Sequence, residues 1–209
     1  MNTALPTTVF TDPAPAQRLN RAAAALTAHG FTVEILDDVV AARTRIKELI
    51  PAGASVLTAA SETLRLSGID DDINTSGRYQ AIKPTTLVLD RVTDADDIRR
   101  LRASPDVIVG SVAALTETGS LVIASSSGSQ LPGCAGGAAA AIWIVGAQKV
   151  VPDLSTALRR VETHCLPLES TRAMAAYGMP SAVNRLLILN AEFQPGRGTV
   201  LLLREAIGF

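Results

Sequence analysis

IASSSGSQLPGCAGGAAAAIWIVGAQKVV, residues 123–151, is the stretch on which the fold class turns. It leaves an apolar run, crosses a Ser/Gly-rich segment and a string of small residues, and enters a second apolar run that stops at Gln148-Lys149. Short, unbroken aliphatic runs of this kind are the pattern of strands buried on both faces. Ser and Gly between them let the backbone come close to another group, and in open α/β sheets the loops at strand ends are where ligands bind. The plain alternative is a mobile turn with no task.

Working outward, apolar runs of strand length recur at 31–36, 55–59, 85–90, 106–111, 119–125, 140–147, 185–190 and 198–204. Helical spacing fills 15–29, the segment from Asp37 or Asp38 to Ile50, and the segments near 61–68, 93–103, 153–165 and 172–177. Residues 69–84 read as polar and irregular. Alternating strands and helices predict an α/β fold, a largely parallel or mixed sheet with helices on both faces. The strand-rich second half predicts a hairpin or mixed portion. Residues 1–14, with two prolines, read as an N-terminal extension, and 15–209 as one domain.

Composition narrows the function classes. The chain has 209 residues, enough for one sizeable core. Aromatics are only 3% and the net charge is −1, which excludes the basic or stacking surfaces of nucleic-acid binders. No apolar run approaches the roughly 20 residues that span a bilayer. The first residues lack a basic segment followed by an apolar one, so cytoplasm is the expected compartment. Two cysteines (Cys134, Cys165) and two histidines (His29, His164) at these spacings make no familiar metal or iron–sulfur motif, so no intrinsic metal or cluster is expected. Both cysteines and His164 read as structural.

The strand-end rule ranks the candidate sites. Ser125, Ser126, Ser127, Gly128, Ser129 and Gln130 follow a strand and can cradle an anion. Gly133, Gly136 and Gly137 extend that small-residue run, or serve only close helix–sheet packing. Glu117, with Thr116 and Thr118 beside it, lies between two strands, where it reads as a nucleophile or general base, or as a solvated turn acid. Gln148 and Lys149 end the 140–147 strand, and Lys149 can pair with an anion or serve as a surface lysine. Glu169, Ser170 and Arg172 in PLESTR, and Asn190, Glu192 and Arg197 around QPGRG, are polar turns beside strands. Arg197 reads as a turn charge.

Taken together, VIVGSVAALTETGSLVIASSSGSQLPGCAGGAAAAIWIVGAQKVV, LPLESTRAMAAYGMPSAVNRLLILNAE and PGRGTVLLLREAIGF resemble the lactate-utilisation (LUD) domain family. The resemblance covers roughly 15–209 and is densest from 106 onward. It implies a fold similar to the sugar-phosphate isomerase and CoA-transferase-like group, and a role in the oxidation of L-lactate to pyruvate beside iron–sulfur oxidoreductase subunits. Longer relatives carry ferredoxin-type cysteine clusters that this chain lacks. CAGGA at 134–138 stands where an aromatic-containing stretch is expected.

The resulting expectation is a small anionic or nucleotide-like ligand held at strand C-terminal ends by Glu117, the 125–130 loop and Lys149. Gln148, Glu169 and Arg172 complete the set. Two alternatives stand beside it. One is an acyl- or CoA-transferase-like enzyme with Glu117 as covalent nucleophile. The other is a non-catalytic accessory subunit of an iron–sulfur lactate-oxidising complex. A homo-oligomer stays open.

Overall fold

In a computed structural model of the protein, which describes residues 10–209, two sheets share one face-to-face core. The first is six-stranded and wholly parallel, in the order β1-β10-β7-β4-β2-β3. Its strands are β1 (Thr32–Leu36), β2 (Ser55–Thr58), β3 (Gln80–Ala81), β4 (Val107–Gly110), β7 (Ala140–Gly146) and β10 (Gly198–Leu203). The second is four-stranded and mixed, in the order β8-β5-β6-β9. It comprises β5 (Ala114–Thr116), β6 (Leu121–Ser125), β8 (Val150–Val151) and β9 (Arg185–Leu189). β5 and β6 form the antiparallel hairpin expected in the second half, and β8 pairs with β5 in parallel.

β7 shows why aliphatic runs became central strands. Ala141, Trp143 and Val145 point to one face, and Ile142 and Ile144 to the other. All five are buried, as a strand covered on both sides requires. The first face meets α1 (Ala16–Ala28), through Leu19, Ala22 and Leu26, together with the inner face of the second sheet. The other face meets α2 (Val39–Leu49), α3 (Glu62–Ser67) and α4 (Ile69–Thr75). The outer face of the second sheet is covered by α7 (Leu154–Arg160) and by Phe10.

Two local readings are corrected. The run 85–90 is no strand. Ile82–Leu87 is helix α5, with Ile82 and Thr86 buried one turn apart, Pro84 in the first turn where a missing N–H costs least, and Val88 exposed. Residues 69–84, read as irregular, hold α4 and β3. α6 (Ala95–Ala103) follows where a helix was expected.

The helix expected to end at Cys165 continues instead. After α7 the chain takes a π turn at Val161–Cys165 and runs on as α8 (Leu166–Tyr177). PLEST therefore lies on a helix, with Pro167 in its first turn. Pro167, without an N–H, is tolerated in the first turn after the π turn.

Of the expected N-terminal extension, residues 1–9 lie outside the described residues. Phe10 and Ala14 are buried against the domain, and the Ala14 N–H donates to the Ala147 carbonyl at 3.3 Å.

Candidate functional site

Parallel strands β2, β4 and β7 end side by side. The residues that follow them are Ala59–Glu62, Ser111–Ala113 and the turn carrying Lys149, and they open into a cavity of about 380 Å³. Its other walls are the loop after β6, the π turn and α8 through Cys165, Glu169 and Arg172, the segment 179–183, and Phe209. This is the crevice at the carboxyl ends of strands that a parallel sheet offers to ligands.

Lys149 forms part of the wall and is 1% exposed. Its Nζ donates to Thr63 Oγ1 (2.8 Å), Ser111 Oγ (3.0 Å) and the Val112 carbonyl (3.2 Å). Among the described residues no carboxylate pairs with it. Burial, reinforced by the nearby Arg160 charge, pushes its amine down to about 7. Arg160 is itself fully buried. It donates to the Ala113 carbonyl, to the Cys165 Sγ at 2.8 Å and to the Phe10 carbonyl at 3.5 Å. Burial raises the Cys165 thiol although both cations favour its thiolate.

The rim holds two ion pairs. Arg172 grips Glu169 with two hydrogen bonds of 2.7 and 2.6 Å and lies 5.6 Å from the Tyr177 ring centre. Glu62, mostly buried, is paired with Arg65, whose guanidinium holds its carboxyl below the usual range with a smaller contribution from Arg172. These pairs nearly cancel each other's charge. Lys149 is left as a wall cation that the protein does not balance.

The loop 125–130 is knitted to itself. The Ser125 hydroxyl donates to Gln130 Oε1 at 3.0 Å and accepts the Gly128 N–H at 2.8 Å, while Ser127 donates to Ser129 at 3.2 Å. Ser125, Ser127, Ser129 and Gln130 face the cavity. Gly128 does not. Its φ of +79° makes the turn, and a Cβ there would meet the Arg185 side chain at 2.7 Å. Gly137 is a packing glycine, whose Cβ would fall 2.0 Å from the Ala103 carbonyl oxygen.

Other candidate residues sit elsewhere. Glu117 lies in the β5–β6 turn, which Gly119 presses against α1 so closely that a Cβ would come within 2.8 Å of the Ala25 carbonyl carbon. That contact brings Arg18 and Arg21 onto the two oxygens of Glu117, Arg21 at 2.7 Å. Burial opposes ionisation of this carboxyl, but the two guanidiniums outweigh it and hold it below its ordinary range. A carboxylate so neutralised and outside the cavity is poorly placed as its nucleophile. Gln148 grips the chain near its end, donating to the Ile207 and Gly208 carbonyls at 2.9 Å each. Arg197 is a buried clamp, held by Glu192 at 2.6 Å and donating to the carbonyls of Ala138, Gly133 and Cys134. Asn190 accepts from Ser120 at 2.9 Å, and Ser170 donates to the Ser181 carbonyl at 3.3 Å.

The sequence reading passed over Thr63, Ser111, Glu62 and Arg160. Ser111 and Glu62 were within reach of the strand-end rule, since each follows a buried strand. Thr63 and Arg160 lie on helices and gave no such signal. Among the described residues no helix is long and apolar enough to cross a membrane.

The sequence matches the LUD domain over residues 19–201, and the chain belongs to that family. The fold is similar to that of a DUF162 family protein from Deinococcus radiodurans, with a TM-score of 0.55 at 13% identity over 90% of this chain and 97% of the other. No curated protein matches the chain.

Proposed function

We propose that this LUD-domain protein serves lactate or related organic-acid metabolism by holding a small organic anion over Lys149. The observation that carries the reading is the Lys149 amine, buried in a cavity wall with three neutral oxygens and, among the described residues, no carboxylate. A charge in that position is short of a counter-ion, and an anionic ligand supplies one. The cavity, about 380 Å³, is at the small end of ligand sites, which favours a compact acid over a full coenzyme. The transferase reading that assigns Glu117 as nucleophile has no comparable support, because Arg18 and Arg21 already occupy both of its oxygens.

Binding should be coupled to proton uptake. With the amine near 7, an anion that needs the ammonium binds about 30-fold more weakly at pH 8.5 than at pH 5.5. The test is calorimetric titration of L-lactate, pyruvate, nucleotides and CoA esters into wild type, Lys149→Met and Glu117→Gln. The expected result is a small acid that binds wild type and Glu117→Gln alike, more tightly at low pH, and fails to bind Lys149→Met. Affinity unchanged in Lys149→Met would remove the reading.

A further inference from the structure

We propose that Lys149 does more than attract the anion: its Nζ condenses with the carbonyl carbon of a small 2-oxo acid in the cavity to form an imine. This rests on the anion-site reading above and names the ligand class.

Three observations carry it. First, the hydrogen-bond set suits a neutral amine. Thr63 Oγ1 gives its own hydrogen to the Ile207 carbonyl at 3.3 Å, so toward Lys149 it accepts, as the Val112 carbonyl does. Those two take the two hydrogens of a neutral amine. Ser111 Oγ, at 3.0 Å, can turn its hydroxyl hydrogen to the nitrogen lone pair or accept a third ammonium hydrogen. The site therefore accommodates both protonation states without moving an atom. Second, the titratable groups around Nζ are Arg160 on α7 and His164 and Cys165 on the π turn. The positive charge of Arg160 favours the nucleophilic form, and burial disfavours ionisation of the Cys165 thiol. Third, among the described residues no carboxylate pairs with Nζ. A protonated imine keeps one positive charge there, and a 2-oxo acid carries its carboxylate on the carbon next to the reacting one. The ligand thereby brings the counter-ion that the wall lacks.

The step balances without an oxidant or reductant. Neutral Nζ adds to the carbonyl carbon and the carbonyl oxygen takes a proton. The resulting carbinol then loses that oxygen as water as the C=N bond forms. Counted from the ammonium, one 2-oxo acid enters, one water leaves, and the positive charge remains on nitrogen. The Ser111 hydroxyl is within reach to pass the proton.

The chain contains three lysines, which makes the test clean. Lys47 is exposed, and Lys83 is paired with Asp70 at 2.7 Å. The full chain is incubated with pyruvate and sodium cyanoborohydride, then weighed intact and mapped by peptide. In parallel, binding of L-lactate, which has no carbonyl, is measured by calorimetry. The expected result is one added pyruvic acid less one oxygen atom, located at Lys149, with labelling at least tenfold faster than at Lys47 or Lys83. Labelling should peak near neutral pH, slow in the presence of L-lactate, and vanish in Lys149→Met. Ser111→Ala should slow labelling and change its pH profile. Lactate binding without Lys149 labelling overturns the imine and leaves the anion site standing. Equal labelling of all three lysines overturns the imine as well. Loss of both lactate binding and Lys149 labelling overturns the two readings together.

Discussion

Replacing Lys149 with methionine should stabilise the protein at neutral pH and below, although it removes three hydrogen bonds. The side chain is 1% exposed and its amine sits near 7, against about 10.4 for a lysine in water. A depression of that size means that charging the amine in the folded state costs about 4–5 kcal/mol relative to the unfolded chain. Methionine keeps most of the aliphatic stem and removes that cost. It leaves the Val112 carbonyl, Thr63 and Ser111 without a donor, which costs about 2 kcal/mol in total where cavity water can replace part of the loss. The net gain is about 2–3 kcal/mol, or about 5–10 °C in Tm for a chain of this size.

The sign follows from linkage. Between pH 7 and about 10.4 the unfolded chain holds the lysine proton and the folded chain does not, so wild-type stability rises with pH across that window. The methionine variant lacks this term. Its advantage should be constant below pH 7 and then shrink by about 1.4 kcal/mol per pH unit. It should reverse near pH 9. Urea unfolding of both proteins at pH 6, 7.5 and 9 measures it. A stability difference that does not change with pH, or a variant less stable at pH 6, refutes the account of Lys149 as a strained wall amine. The expected pattern of more stability with less binding is the usual mark of a site held against the preferences of the fold.

Other expectations are independent of that one. Glu117→Gln should cost about 1–3 kcal/mol, because it strands Arg18 and Arg21 on a half-buried turn, with ligand binding intact. Since its folded carboxyl lies below the ordinary range, that stabilisation is present above about pH 4.3 and lost as pH falls through the folded value, so acid unfolding of the variant should begin at the same stability as acidified wild type. Gly128→Ala should cost about 1–2 kcal/mol through its positive φ and the displaced Arg185 side chain while ligand affinity stays within twofold; lost affinity in a folded variant would show that the loop backbone touches ligand. Arg160→Met should let the Lys149 amine rise and move the pH optimum of pyruvate labelling upward, and an unmoved optimum would show that Arg160 does not act on it.

What the sequence could show, and what it could not, follows from the range of the forces involved. β4, β7 and β10 were legible because a parallel strand covered on both faces is continuously apolar, as in VIVG and AAIWIVG. The 85–90 run misled because an apolar run says nothing of which neighbours it will find; α5 buries Ile82 and Thr86 and leaves Leu87 and Val88 in solvent. Lys149 could be picked out by position, since strand ends face the ligand side of an α/β sheet wherever the chain goes next. Its partners could not. Thr63 arrives from a helix 86 residues away and Ser111 from a strand end 38 residues away.

The surroundings of Glu117 were hidden for the converse reason. Its chemistry is set by two arginines nearly a hundred residues upstream, which reach it only because Gly119 lets the hairpin turn lie against α1. In sequence, Glu117 and Lys149 look equally promising: each is a charged residue in a turn next to a strand. The structure separates them by whether the protein supplies the opposite charge. It gives Glu117 two cations, and among the described residues it gives Lys149 no carboxylate. An acid satisfied twice over has little reason to engage a ligand, whereas a buried amine left without a counter-ion is stabilised by any anion small enough to enter. That difference in pairing, more than position or residue type, is what favours Lys149 in the proposed anion site.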